Sequence, residues 1–150
     1  MTVALIAVPA TPARAENVVP TVVPSLRQWT GGSGEWKLAP ASRILVSAAD
    51  SGALSSMSGL LVGNLAAENG LRPAVVIGST PAAGDIILLL DSSDTSIGDE
   101  GYLLTAGASL TIVARKLTGA WWGTRTLLQV LRADPARLSV PQGSAKDWPQ

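Results

Sequence analysis

Gly98 to Arg132 reads GDEGYLLTAGASLTIVARKLTGAWWGTRTLLQVLR, and this stretch decides the fold. Tyr102–Thr105 and Leu110–Ala114 read as two alternating strands, most clearly at Leu110-Thr111-Ile112, the two-residue period of half-buried strands. Ala106-Gly107-Ala108-Ser109 between them is a hairpin loop. After a glycine-punctuated turn the spacing changes to that of a helix over about Ala120–Arg132, ended by Asp134-Pro135. Its expected inner face is Ala120, Trp121, Leu127, Leu128 and Leu131, with Trp121 on the sheet and Trp122 at an interface.

Upstream, Arg43–Ser47 reads as a short strand. A helix follows to about Asn69, capped by Asp50 or Ser51 and stopped by Gly70. Leu54, Met57, Leu61 and Leu65 recur at three- and four-residue spacing on its apolar face. Pro73–Ile77 and Asp85–Leu90 are two further strands. Ile86-Ile87-Leu88-Leu89-Leu90 shows no polar alternation, so it is expected to be central and buried on both faces. Nearer the start, Leu26–Trp29 and Trp36–Leu38 flank the loop signal Thr30-Gly31-Gly32-Ser33-Gly34-Glu35. The tail Leu138–Pro149 is extended, with a turn at Gln142-Gly143. This order predicts an α+β domain: a single mixed or antiparallel sheet with two helices packed on one face.

Composition removes many function classes. The 150 residues carry formal net charge zero and only 15% charged residues, and the basic ones are dispersed. No phosphate-binding patch is formed, so no nucleic-acid partner is expected. Without Cys there is no disulfide framework or thiolate metal site. Without His there is no imidazole base and no Ser-His-Asp arrangement. The Gly31–Gly34 cluster lacks the Gly-Lys-Ser/Thr of a phosphate cradle, so it reads as a turn. Asp91, Asp94, Asp99 and Glu100 fail the calcium-loop spacing, because Ser93, Thr95 and Ser96 stand where ligands and a Gly are needed. They read as a solvated loop. No catalytic, metal or cofactor residue is assigned, and no cofactor is expected.

Val3–Val8 is an apolar run too short to span a bilayer, and Ala13-Arg14-Ala15 before Glu16 matches a small-x-small cleavage site. Residues 1–15 are therefore expected to be the remnant of a signal peptide, 16–22 an extended leader and 23–150 the folded domain. The expected location is secreted or cell-envelope, in a bacterium.

Two segments carry a family resemblance: Asp99-Glu100-Gly101-Tyr102-Leu103-Leu104 and Gly119-Ala120-Trp121-Trp122-Gly123-Thr124-Arg125-Thr126-Leu127-Leu128-Gln129-Val130-Leu131. They resemble the small accessory domain that precedes the catalytic barrel in bacterial β-N-acetylhexosaminidases of glycoside hydrolase family 20. Arg125 stands where the pattern usually has Gln, and Asp147-Trp148-Pro149 is similar to the segment leading into the first barrel strand. The resemblance implies a parent enzyme that removes terminal β-linked N-acetylglucosamine or N-acetylgalactosamine, with the substrate acetamido group as nucleophile. It implies that the barrel is the partner of this domain, met through Trp122 and Trp148. Neighbouring side chains on an extended backbone diverge, so Asp99-Glu100 is not the family's catalytic pair. The alternative is a stand-alone secreted glycan-binding or interaction module, for which Trp29, Trp36, Trp122 and Trp148 are the candidate aromatics.

Overall fold

A computed structural model describes residues 16–148. The expected export signal over residues 1–15 lies outside the described residues. Seven strands and two long helices follow in the order β1 (Gln28–Lys37), β2 (Arg43–Val46), α1 (Ser51–Asn69), β3 (Ala74–Ile77), β4 (Ile86–Leu90), β5 (Tyr102–Ala106), β6 (Leu110–Ala114), α2 (Leu117–Ala133) and β7 (Ser139–Asp147). The strands form one mixed sheet in the order β1-β7-β5-β6-β4-β2-β3. β2, β3, β4 and β6 run parallel, whereas β5 pairs antiparallel with β6 and β7 and β1 antiparallel with β7. The α+β architecture expected from the sequence is the one observed.

α1 and α2 touch each other, and one buried cluster joins them to the sheet. In it Leu54, Leu61 and Leu65 of α1 and Leu127, Leu128 and Leu131 of α2 meet Ile44, Ile86, Leu88, Leu104 and Ile112. Both helices therefore lie on one face. Along β5 and β6 the alternation is complete: Tyr102, Leu104, Ala106, Leu110, Ile112 and Ala114 are buried, with half-buried residues between. β4 departs from expectation. It is central, but Ile87 and Leu89 are only half-buried. They line a hollow of about 340 Å³ with Leu45 and Pro81 on the helix-free face. An all-apolar strand hides its own alternation, because both of its faces read alike.

Two expected turns are strand. Gln28–Lys37 is one strand, and its pairing with β7 shifts register between Gly31 and Glu35. The glycines absorb extra residues as a bulge, with Gly34 at φ 82°. Asn17 fills the bulge: its backbone N–H donates to the Gly32 carbonyl at 2.7 Å and its side-chain amide to the carbonyls of Gly34 and Gln142. β7 runs straight through Gln142-Gly143, and Gly143 is needed because a Cβ there would lie 2.5 Å from the Trp29 ring. The Gln129 side chain also holds Val23, accepting from its N–H and donating to its carbonyl, while Val22 is buried.

The helix ends differ in detail. Gly70, at φ 79°, closes α1 with its N–H on the Ala66 carbonyl, as expected. Asp50 precedes the helix but does not cap it, because its carboxylate accepts the N–H of Leu90 at 3.1 Å. α2 starts at Leu117, a turn earlier than expected, since Gly119 and Gly123 are inside it. A Cβ on Gly119 would overlap the Gly101 carbonyl oxygen, and one on Gly123 would sit 2.5 Å from Ile112 Cγ2. These glycines let the helix backbone approach the sheet. They do not break it.

Candidate docking face

The five tryptophans separate into distinct environments. Trp36 is 1% exposed and its indole N–H donates to the Asp85 carbonyl at 3.3 Å, so it is a core residue and leaves the set of ligand candidates. The sequence did not show this because its partner is 49 positions away. Trp29 packs against the cluster and donates from its indole N–H to the Asn17 carbonyl at 3.0 Å. Trp148 is half-buried, with the Arg27 guanidinium 5.0 Å from its ring centre and Arg27 Nε donating to its carbonyl at 2.8 Å. It is thus covered more than a free tail residue would be. Trp121 does not pack on the sheet as expected. It stands in the seam between the helices, its ring under the Arg125 guanidinium at 4.1 Å, and Arg125 donates to Asn64 of α1 at 2.8 Å. The glycines beside it take the closest approach to the sheet, so the larger ring turns toward α1.

Trp122, expected at an interface, is 43% exposed in this domain. Leu117 (42%) of α2 and Leu60 (44%) of α1 are the other exposed large apolar side chains of the helices, and they face the seam between them, whereas Trp122, five residues beyond Leu117, is turned to the other flank of α2. Between the helices lies a hollow of about 240 Å³ lined by Ala53, Ser56, Met57, Leu60, Leu117 and Trp121. No charged side chain lines it.

The helices and the sheet are tied by polar contacts the sequence did not reveal. Tyr102, Thr126 and Asp147 join β5, α2 and the end of β7: the Tyr102 hydroxyl lies 2.5 Å from Thr126 Oγ1 and 3.3 Å from the Asp147 carboxylate. Burial pushes the Tyr102 hydroxyl above its ordinary range, so it stays a neutral donor. Asp85, buried at the start of β4, takes a 2.6 Å ion pair from Arg43 and the N–H groups of Arg43 and Ala82. Burial works to raise its pKa, but these donors outweigh it and hold the carboxyl below the usual carboxylate range. Glu68 is held low by the hydrogen bond from Arg132, with Arg137 adding to it. All these partners are distant in sequence, and no local spacing announces them.

The acidic loop is not brought together as a site. Asp91 and Asp94 each accept the N–H two residues on, from Ser93 and Ser96. Asp99 pairs with Arg115 at 3.2 Å and Lys116 at 3.1 Å. Asp99 and Glu100 lie in a turn before β5 and not on extended backbone, so that part of the sequence argument is corrected. Among the described residues no group of three His, Cys, Asp or Glu is placed to hold a metal ion. None of their helices is long and apolar enough to cross a membrane.

Comparison with known proteins agrees with this geometry. The family described as glycosyl hydrolase family 20, domain 2, matches residues 19–148. A lacto-N-biosidase of Bifidobacterium bifidum is 32% identical over 133 residues, covering 87% of this chain and 11% of its own length. A beta-hexosaminidase of Porphyromonas gingivalis is 27% identical over 136 residues, covering 85% of this chain and 17% of its own. A solved N-acetyl-beta-hexosaminidase of Streptomyces plicatus superposes with a TM-score of 0.75 at 27% identity, covering 92% of this chain and 28% of that one. The GH20 beta-N-acetylhexosaminidase of Streptomyces coelicolor gives 0.72 at 27% identity, over 87% and 28%. The chain thus spans well under a third of each of these relatives.

Proposed function

Because this chain belongs to glycosyl hydrolase family 20, domain 2, we propose that it is the non-catalytic flank of a bacterial sugar-cleaving enzyme, packed on a barrel that follows it in the same polypeptide. The observation that carries this reading is the exposure of Leu60, Leu117 and Trp122 on the helix-bearing side of a domain that covers so little of its relatives. Exposed aromatic and aliphatic side chains grouped on one side of a small domain favour an interface. Trp122 is one contact with the barrel. Trp148, beyond the last strand, is the other.

In this reading the barrel carries the chemistry and this domain supplies no group to it. The parent removes terminal β-linked N-acetylhexosamine by a retaining route in which the substrate acetamido oxygen attacks the anomeric carbon. The chain offers no imidazole, and its adjacent acidic pair is tied to Arg115 and Lys116 through Asp99. The isolated 150-residue chain should therefore release no more chromophore from a chromogenic N-acetylglucosaminide than a mock preparation. Sustained turnover above that level would overturn the reading.

The same proposal makes residues 1–15 an export remnant, 16–22 a leader and 23–150 the accessory domain, in a secreted or cell-envelope protein. N-terminal sequencing of exported material should begin at Glu16. Protein retained in the cytosol with Met1 intact would refute export without touching the rest.

A further inference from the structure

The hollow between the helices gives the proposed interface a specific shape. Its walls are Ala53, Met57 and Leu60 from α1 and Leu117 and Trp121 from α2, and Ser56 is its one polar side chain. Leu60 and Leu117 are exposed at its mouth. Trp121 cannot swing to close it, because Arg125 lies over its ring and is itself anchored to Asn64. A pre-formed, uncharged recess of this kind matches an apolar side chain, and burying a charge in it would go uncompensated.

The position of the recess selects the occupant. β7 ends at Asp147, which pairs with Tyr102, and Tyr102 in turn pairs with Ala114 at the end of β6. α2 begins at Leu117, just beyond Ala114, and α1 begins at Ser51, just beyond the end of β2. Both first turns therefore stand at the end of the sheet where β7 finishes. Asp147 is fixed there by Tyr102 and by the Arg27 N–H, so β7 ends at the same end of the sheet as the recess, with α2 between them.

The geometry points to the recess between α1 and α2 as the socket for one bulky aliphatic or aromatic side chain of the domain that follows in the same polypeptide. This rests on the proposed function and adds to it. Trp122 lies flat on the partner, whereas the socket receives a projecting residue that fixes the rotation of one domain on the other. Because the walls are apolar, the insertion is sensitive to a polar wall.

The test uses the longer polypeptide that carries this chain and the segment continuing it, with the 150-residue chain as reference. The substitutions are Leu60→Ser and Leu117→Ser together, with Leu60→Met as an apolar control. Both leucines are exposed in the isolated chain, so its melting midpoint should stay within about 2 °C of wild type. In the longer polypeptide the double variant should free the domain to a protease about fivefold faster or more, and Leu60→Met should not. Unchanged release in the double variant, from a domain that otherwise stays packed on its neighbour, would overturn the socket alone. A wild-type domain cleaved off as fast as an unpacked one, or a continuation with no barrel, would overturn the proposed function as well. A dimer of the isolated chain that the double variant abolishes would make a second copy the occupant and also overturn the inference.

Discussion

Leu128→Ala should lower the melting midpoint of the isolated chain by roughly 4–20 °C. Leu128 is 2% exposed and belongs to the cluster that joins α2 to the sheet. Truncating such a leucine removes its transfer free energy and leaves a cavity, together typically about 2–5 kcal/mol. Near the midpoint each kcal/mol corresponds to about 2–4 °C in a domain of this length. The recess and Trp122 both depend on α2 staying seated, so the same variant should weaken domain packing in the longer polypeptide. Trp122→Ala should do the opposite: little in the isolated chain, where the ring is 43% exposed, and a clear loss of thermal stability in the longer one. Thermal melts of both variants in both polypeptides check this. Equal damage from Trp122→Ala in each would put Trp122 in the core of its own domain and remove it from the interface.

What the sequence revealed and what it concealed divides along contact distance. β5, β6 and α2 were legible because each is specified by neighbours within a few positions: the alternation Leu110-Thr111-Ile112, the loop at Gly107, the stop at Asp134-Pro135. The bulged strand was not, since Gly31–Gly34 has the composition of a turn and the partners that straighten it, β7 and Asn17, lie far along the chain. Trp36 shows the same limit. Beside a glycine cluster it resembles an exposed loop aromatic, and only pairing with Val140 and the reach of its indole to Asp85 bury it. At the candidate interface the spacing identified the helix but not the side of every residue. Successive residues are turned by about 100°, which separates Trp121 from Trp122 without saying which neighbour each meets. Glycine decided it. Gly119 and Gly123 mark the line that touches the sheet, and a reading that takes glycine only as a helix breaker gives that line to Trp121.

That line supplies the second large effect, and its sign is the informative part. Gly119→Ala should destabilise the isolated chain while Gly63→Ala stabilises it, although both put the same methyl group inside a helix. Gly63 is exposed on α1 with nothing within 4 Å of a built Cβ. There alanine improves helix propensity and restricts the unfolded chain, worth about 0.4–1 kcal/mol. The unfolded-chain term is the same at Gly119, so any difference between the two variants comes from the native structure. At Gly119 a Cβ would overlap the Gly101 carbonyl oxygen and crowd Ala114 Cβ at 3.1 Å. Gly101 cannot retreat, because it is itself closed in by the Ile97 and Asp147 carbonyls, the latter 3.0 Å from where its own Cβ would be. The first turn of α2 must therefore lift, and overpacking of this kind typically costs about 1–3 kcal/mol, sometimes more. The expected midpoints move down by about 2–12 °C for Gly119→Ala and up by about 1–4 °C for Gly63→Ala. Thermal melts of both variants beside wild type measure the difference. Since Leu117 and Trp121 flank Gly119 on the same turns, lifting that turn also displaces the walls of the recess, and Gly119→Ala should loosen the domain in the longer polypeptide beyond what its own stability loss accounts for. A Gly119→Ala chain as stable as Gly63→Ala would mean that α2 does not approach the sheet at Gly101, and the recess it helps to wall would lose its support.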